Sequence, residues 1–517
     1  MKVRMIPSSP VAVAKSGSST STNLLRSSIN FLHIALMVTA TAAPLVVVST
    51  YIPISISSGA GIATPLTYAV TTVILLVFAV GFAQMAKRIT SAGAFYTFTT
   101  QGLGRPLGLA AGLLILSAYS MIAAAISGGF GYFTSALLIN YFGIKVAWYW
   151  CAITAMLVMF AISYFKVTLT ARILAVLLVL EVLIVVLVCV FTIGKGGATG
   201  QMPAAFNPAE WVAAPAVGIG FFLAFWSWIG FETTAIYGEE TKDPKRSVPK
   251  ATYIAVITLG VFYTFAAYTA VIGFGTDAPE QAGVLVGDYF FVIADLYTWH
   301  AVRVVMDFLV VSGFFACVFA WHNNAARYQY SLGRDGVLPR VLGRTHPIHK
   351  SPYIAAAVQA VIVIVVIALF AAAGADPLLE LGTWLAIFCT LAVIVVQLLV
   401  SVAVIGYFNR VGRQTPADYL KTLAAPAIGA VGQLVILVLL LENLTFLAGD
   451  DSVIVGLIPL YVAVIAAASI GYALWLRKRD PVRYTAIGQM HEDELIDVCC
   501  VHEGEEEPSS GVSLPND

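Results

Sequence analysis

Apolar residues run along this chain in stretches of about 20, each long enough to cross a bilayer as a helix, with polar positions gathered in the short segments between them. We read about twelve such stretches, near 29–50, 63–84, 106–138, 146–165, 170–193, 214–238, 251–274, 301–331, 353–373, 379–407, 422–441 and 453–476. The apolar positions are continuous rather than alternating, which argues against a β-barrel. So many runs could not all be buried in one soluble core. The pattern predicts an all-α polytopic membrane protein with about twelve transmembrane helices. Two stretches are interrupted. The first contains Thr39-Ala40-Thr41-Ala42-Ala43-Pro44, where proline removes a backbone donor and clashes with the preceding turn. The sixth contains Ile229-Gly230-Phe231-Glu232, where glycine lets the helix open its backbone. Two readings stand: ordinary kinks, since Gly and Pro are frequent in membrane helices, or paired broken helices at a transporter's binding site.

Composition agrees with the pattern. The chain is 59% hydrophobic and 11% charged, against roughly 25% charge in soluble domains. Formal net charge is zero, so overall charge says nothing about partners. Charge placement says more. With a cytoplasmic N-terminus, all of the 28 Lys and Arg except Lys145, Lys195 and Arg303 fall on inner segments, which predicts that both termini are cytoplasmic. Residues 1–28 read as a disordered cytosolic arm rather than a signal peptide, residues 29–479 as the transmembrane body, and residues 480–517 as an acidic disordered tail. Cys151, Cys189, Cys317 and Cys389 lie in spans, and no extracellular disulfide framework is visible. His491, Cys499, Cys500 and His502 lack a standard metal-ligand spacing. No nucleotide-binding motif offers ATP coupling. Neither a nucleic acid nor an obligatory protein partner is expected, only membrane lipid and a small-molecule substrate.

Ionisable residues inside spans are costly and mark candidate sites. Glu232 stands beside the sixth-span break. It either exchanges a proton or caps amides freed by the break. Glu181, near the middle of the fifth span, either couples a proton, helps bind a cation, or is a neutral acid hydrogen-bonded between helices. Tyr119 and Ser120 in the third span are candidates to line the same cavity. Asp307 is a candidate gate partner for Arg303, four residues earlier on one helical face, or simply a structural pair with it. His33 and His322 are candidate proton shuttles or hydrogen-bonded helix residues. Lys242, Lys245, Arg246, Arg327 and Arg334 read chiefly as topogenic charge, with a latch to Glu239 or Glu240 as the alternative.

Three ordered motifs carry a resemblance. The first is Phe222 to Ala251, with Ile229-Gly230-Phe231-Glu232, Glu239-Glu240, Asp243-Pro244, Arg246 and Pro249. The second is Asn324-Ala325-Ala326-Arg327 with Ser331-Leu332-Gly333-Arg334-Asp335-Gly336-Val337-Leu338-Pro339. The third is Ile89-Thr90-Ser91-Ala92-Gly93-Ala94-Phe95-Tyr96. Over roughly residues 28–476 the chain resembles the amino acid–polyamine–organocation (APC) permeases. That resemblance implies the leucine-transporter-like fold: an inverted repeat of five plus five helices, broken helices 1 and 6, and two further helices outside it. It implies a substrate site at Thr39, Ala40, Thr41, Ala42, Ala43 and Pro44 of helix 1, at Trp226, Ser227, Ile229 and Gly230 of helix 6, and at Tyr119. Trp226 matches an aromatic position that covers substrate in relatives, and a cationic amine would gain cation–π attraction there. Trp228 reads as packing. Glu232 matches a position tied to gating or proton linkage in some members. Glu181 takes the place of a lysine that substitutes for sodium in others. The chain departs from the pattern at Ala42-Ala43-Pro44, where many members have a Gly-Ser-Gly-like carboxylate cradle, and at Gln84, where a glutamate is frequent. The hydroxyls of Thr39 or Thr41 are then candidates to hold a carboxylate.

The function expected is secondary active import of an amino acid or related organic amine across the cell membrane by alternating access, without a cofactor. The coupling ion is expected to be H⁺, with Na⁺ left open. An amino acid/polyamine exchanger and a non-transporting sensor of the same fold are the alternatives. An enzyme is disfavoured, since the spans hold no metal cluster, nucleophile elbow or catalytic His/Asp pair.

Overall fold

The computed structural model describes residues 31–165, 168–214, 216–349, 351–444 and 453–489. The N-terminal arm, His491, Cys499, Cys500, His502 and the rest of the tail beyond Gln489 lie outside the described residues, as does the side chain of His33. Among the described residues the chain is helical without strands. Ten helical stretches are long and apolar enough to cross a bilayer. The shorter apolar helix Trp148–Ser163 and the interrupted sixth segment complete the expected set of spans. Large apolar side chains stand exposed at helical spacing, as with Val361, Val365 and Leu369, or Ile428, Val431 and Val435. Water would not tolerate such continuous apolar faces, and lipid does.

Span 1 is Phe31–Ala42, followed after Ala43 by short helical and π-helical turns to Gly59. Span 2 is Thr64–Arg88, span 3 Arg105–Phe142, span 4 Trp148–Phe165 and span 5 Thr168–Gly194. Span 6 is Val217–Trp228, then 3₁₀ turns at Phe231–Ala235 and Gly238–Glu240. Span 7 is Pro244–Phe274, span 8 His300–Arg334, span 9 Tyr353–Ala372, span 10 Pro377–Gly382 with Thr383–Val411, span 11 Pro416–Glu442 and span 12 Ile458–Arg479. Spans 1 and 6 break in the first helix of each five-span half. Span 3 packs against spans 4, 8, 9, 10 and 12, while spans 1, 2 and 7 pack on one another. Spans 11 and 12 bury the least of themselves and sit at the periphery.

The loops hold more structure than their length suggests. Helix Phe95–Leu103 packs against spans 3 and 10, and Ala278–Leu285 and Tyr289–Tyr297 fold over the end of the bundle between spans 7 and 8. The tail is ordered at its root, where sequence composition reads disorder from 480 onward. Helix Pro481–Ala486 is capped by the Asp480 carboxylate on the Arg483 N–H at 3.1 Å, and Ile487 is buried.

Candidate functional site

The break in span 1 follows from its chemistry. Pro44 has no N–H to give, and Ala43 takes a left-handed conformation with φ 45° and ψ 71°, uncommon outside glycine. The carbonyls at the break find other donors. Ala42 O accepts from the Tyr263 hydroxyl at 2.8 Å, and Thr41 O from the Cys317 thiol at 3.4 Å. The hydroxyls of Thr39 and Thr41 donate back to Ala35 O and Met37 O, each at 2.8 Å. Either would have to leave that bond to hold a carboxylate.

The span 6 break faces it directly. Ile229 is extended with ψ 125°, and Gly230 takes φ 122°. A Cβ on Gly230 would stand 2.6 Å from Thr41 Cγ2, so the backbone of the span 6 break rests against a side chain of span 1 there. Glu232 turns back onto its own break. Its Oε2 accepts from the Gly230 N–H at 2.9 Å and its Oε1 from the Tyr119 hydroxyl at 2.8 Å. The carboxylate thus ties span 6 to span 3, and the Tyr119 ring in turn lies edge-on to Trp321 of span 8 at 4.8 Å. Ser227 donates to Leu223 O at 2.7 Å and meets the Tyr68 hydroxyl at 3.1 Å.

Between the breaks lies a small cavity. Thr41, Ala42, Ala43, Val46, Val47 and Tyr51 line it from span 1, and Trp226, Ser227 and Ile229 from span 6. Ile122 and Ile126 close it from span 3, and Cys317 and Trp321 from span 8. Trp226 stands edge-on to Tyr51, with ring centroids 5.9 Å apart. None of these lining side chains is an acid, lysine or arginine. The free space is about 20 Å³, room for about one water. An organic solute enters only if side chains move.

Of the expected site residues, Thr41, Ala42, Ala43, Trp226, Ser227 and Ile229 reach the cavity. Gly230 and Pro44 form its breaks. Thr39, Ala40 and Tyr119 are not among its lining, Tyr119 standing behind Trp321. Trp228 packs between Tyr68 and Tyr263 at 5.6 and 5.2 Å. Glu181 lies apart, fully buried between spans 5 and 8, with Oε1 3.3 Å from Ser312 Oγ. Gly313 leaves room for it, since a Cβ there would stand 2.6 Å from Oε2. Ser120 donates to Gln359 at 2.8 Å, and the buried His322 ring has no hydrogen-bond partner among the described residues. The pairing of Arg303 with Asp307 gives way to another. Arg303 holds Asp288 at 2.7 Å and Asp295 at 2.9 Å, because Tyr289–Tyr297 folds back beside it. Asp307 accepts from the Tyr141 hydroxyl at 2.7 Å instead.

Sequence reasoning missed Val46, Val47, Tyr51, Ile122, Ile126, Cys317 and Trp321. Ile122 with Ile126, and Cys317 with Trp321, are four apart and share a helical face. That spacing is the only local signal they carry, and core packing produces the same one.

At the end of the bundle rich in Lys and Arg, two ion pairs clamp span 6 to span 8. Arg334 holds Glu239 through both nitrogens at 3.0 and 3.1 Å, and Glu239 also accepts from the Ala92 N–H at 2.8 Å. Arg327 holds Glu240 at 2.8 Å and lies over the Tyr237 ring at 4.8 Å. The Tyr237 hydroxyl donates to Asn324 at 2.8 Å. Arg327 and Arg334, read chiefly as topogenic, meet Glu240 and Glu239, the pairing that the latch alternative requires. Lys242, Lys245 and Arg246 remain exposed. Removing one partner by mutation would leave a mostly buried charge unpaired, at about 3–5 kcal/mol, and both pairs have to part before spans 6 and 8 can separate at this end.

Comparison with known proteins agrees with this architecture. The profile of the family described as "Amino acid permease" matches residues 29–468. The branched-chain amino acid permease BcaP of Bacillus subtilis is 24% identical over 325 residues, covering 58% of this chain and 66% of that protein. BcaP of Lactococcus lactis is 24% identical, covering 68% of this chain and 76% of that protein. The low-affinity putrescine importer PlaP of Escherichia coli is 25% identical, covering 56% of this chain and 63% of that protein. The match spans less than two thirds of the length of the B. subtilis and E. coli relatives.

Proposed function

This chain belongs to the amino acid permease family, and on that premise we propose that it imports an apolar amino acid of branched-chain size by alternating access between the two breaks. It is a permease and not an enzyme, in a multi-pass membrane body. The observation that carries the choice of cargo is the cavity lining. Val46, Val47, Ile122, Ile126 and Ile229 offer apolar surface. A diamine would bring two ammonium groups to a cavity whose lining has no carboxylate, and burying an unpaired charge is costly. Glu232 is not part of that lining; its carboxylate turns back onto the Gly230 N–H and the Tyr119 hydroxyl. An amino acid carries a compensating pair of charges. The half-helix that restarts at Pro44 presents its N-terminal dipole to a carboxylate, and the helix ending at Trp228 presents its C-terminal carbonyls to an ammonium.

The basic end, with the Glu239–Arg334 and Glu240–Arg327 clamps, faces the cytosol by the charge rule, and both termini with it. Substrate and proton enter from the opposite side between spans 1, 3, 6 and 8. Glu181 is the coupling carboxyl, buried against Gly313 and Ser312 where a change in its charge bears on the packing of span 5 against span 8.

Purified protein in proteoliposomes tests this. Labelled isoleucine should accumulate under an inside-alkaline gradient without sodium, and leucine or valine should compete while putrescine does not. Glu181→Gln should flatten the pH dependence from several-fold to near one while exchange persists. Competition by putrescine alone would overturn the cargo, and an unchanged pH profile in the variant would remove Glu181 from coupling.

A further inference from the structure

The root of the C-terminal tail is built into the gate at the basic end. The Gly488 N–H donates to both the Tyr96 hydroxyl oxygen at 2.7 Å and Asp335 Oδ2 at 3.0 Å. The Tyr96 hydroxyl itself donates to Asp335 Oδ2 at 2.8 Å. Gln101 Nε2 donates to the Gly488 carbonyl at 3.0 Å. Arg105 reaches the Thr485 carbonyl through two nitrogens at 3.3 Å, and its guanidinium lies over the Tyr484 ring. Ile487 is 1% exposed.

Only glycine fits the deepest position. Gly488 has φ 61°, and a Cβ there would stand 2.6 Å from Thr100 Oγ1 and 2.7 Å from Thr100 Cβ. A segment leaving the last span has no need to bury its backbone, and termini stay loose unless tied down. This one is tied to Asp335, the neighbour of the Arg334 that clamps Glu239. Its other anchor, Tyr96, lies in the stretch whose Ala92 N–H supports that same Glu239. The seat therefore touches both flanks of the clamp.

We propose that the segment Thr485–Gly488 is a lock on the gate at the basic end. Seated between Tyr96 and Asp335, it holds Arg334 on Glu239, and its withdrawal frees that end to open. The proposal rests on the alternating-access reading above but not on the cargo.

Native Cys317 lines the central cavity and reports on gate opening. Full-length protein in inside-out vesicles is treated with a small membrane-impermeant thiol reagent, and the peptide carrying Cys317 is followed by mass spectrometry. Gly488→Ala and Tyr96→Phe should each raise the Cys317 rate several-fold from this side and not from the other. Gln101→Ala, which removes only the bond to the Gly488 carbonyl, should raise it less. If Gly488→Ala does not fold, Gln101→Ala and Arg105→Gln carry the test. Rates equal to the parent's in the folded variants, even with lowered thermal stability, would mark a structural seam only and overturn the lock. A failure to transport isoleucine leaves this readout intact, so the two ideas fail separately.

Discussion

Gly230→Ala is expected to lower uptake by at least a hundredfold while the protein still inserts into the membrane. Two costs fall on one atom. The backbone at Gly230 has φ 122°, where a residue with a side chain is strained by about 1–3 kcal/mol. The new Cβ would also sit 2.6 Å from Thr41 Cγ2 and 3.3 Å from the Trp321 ring. Overpacking of that kind costs about 1–3 kcal/mol more. The clash is relieved by parting the two breaks or by turning the Thr41 side chain off its bond to Met37 O, and Thr41 and the breaks form the cavity. Gly471, in span 12, has open space around it, and Gly471→Ala should be neutral or mildly stabilising. Uptake rates and melting temperatures of both variants check this. Near-parental uptake in Gly230→Ala would show that the breaks need not touch.

Glu232→Ala is expected to remove nearly all uptake, and Glu232→Gln to keep a clearly larger share. The carboxylate accepts from two buried donors, the Gly230 N–H and the Tyr119 hydroxyl. Alanine leaves both unpaired, at about 1–3 kcal/mol each. Glutamine can still accept from Gly230 through its oxygen and donate to the Tyr119 oxygen through its amide. The order of the two variants therefore separates a cap from a proton carrier. If Glu232 caps the break, glutamine is better than alanine and the pH dependence of uptake survives in it. Equal loss in both, with pH dependence gone in the glutamine variant, would make Glu232 the proton carrier and reverse the assignment to Glu181.

Sequence alone reached the two breaks because their signals are chemical. Pro44 lacks a donor and Gly230 lacks a Cβ, and either is visible without a neighbour. It reached Glu232 because a carboxylate in an apolar run is costly wherever it points. It did not reach Ile122, Ile126, Cys317 or Trp321, since a helical stripe facing a cavity looks like one facing a packed neighbour. The partners of Arg303 were out of range for another reason. Periodicity offered Asp307 on the same helix, whereas Asp288 and Asp295 arrive from a 3₁₀ turn and the short helix that follows it, folded back over the bundle. The clamps of Arg327 and Arg334 and the seat of Gly488 join residues far apart in the chain, and no local pattern encodes that.

The central claim is that substrate sits between the broken ends of spans 1 and 6. Cys317 touches Thr41 O and lines that space, so its alkylation rate in the detergent-purified parent, with and without ligand, tests the claim most directly. Saturating isoleucine should slow modification of Cys317 several-fold and leave Cys151 at the half-exposed face of span 4 unaffected, and putrescine should slow modification of neither. Measurable isoleucine binding with no protection of Cys317 would place the substrate elsewhere and contradict the account.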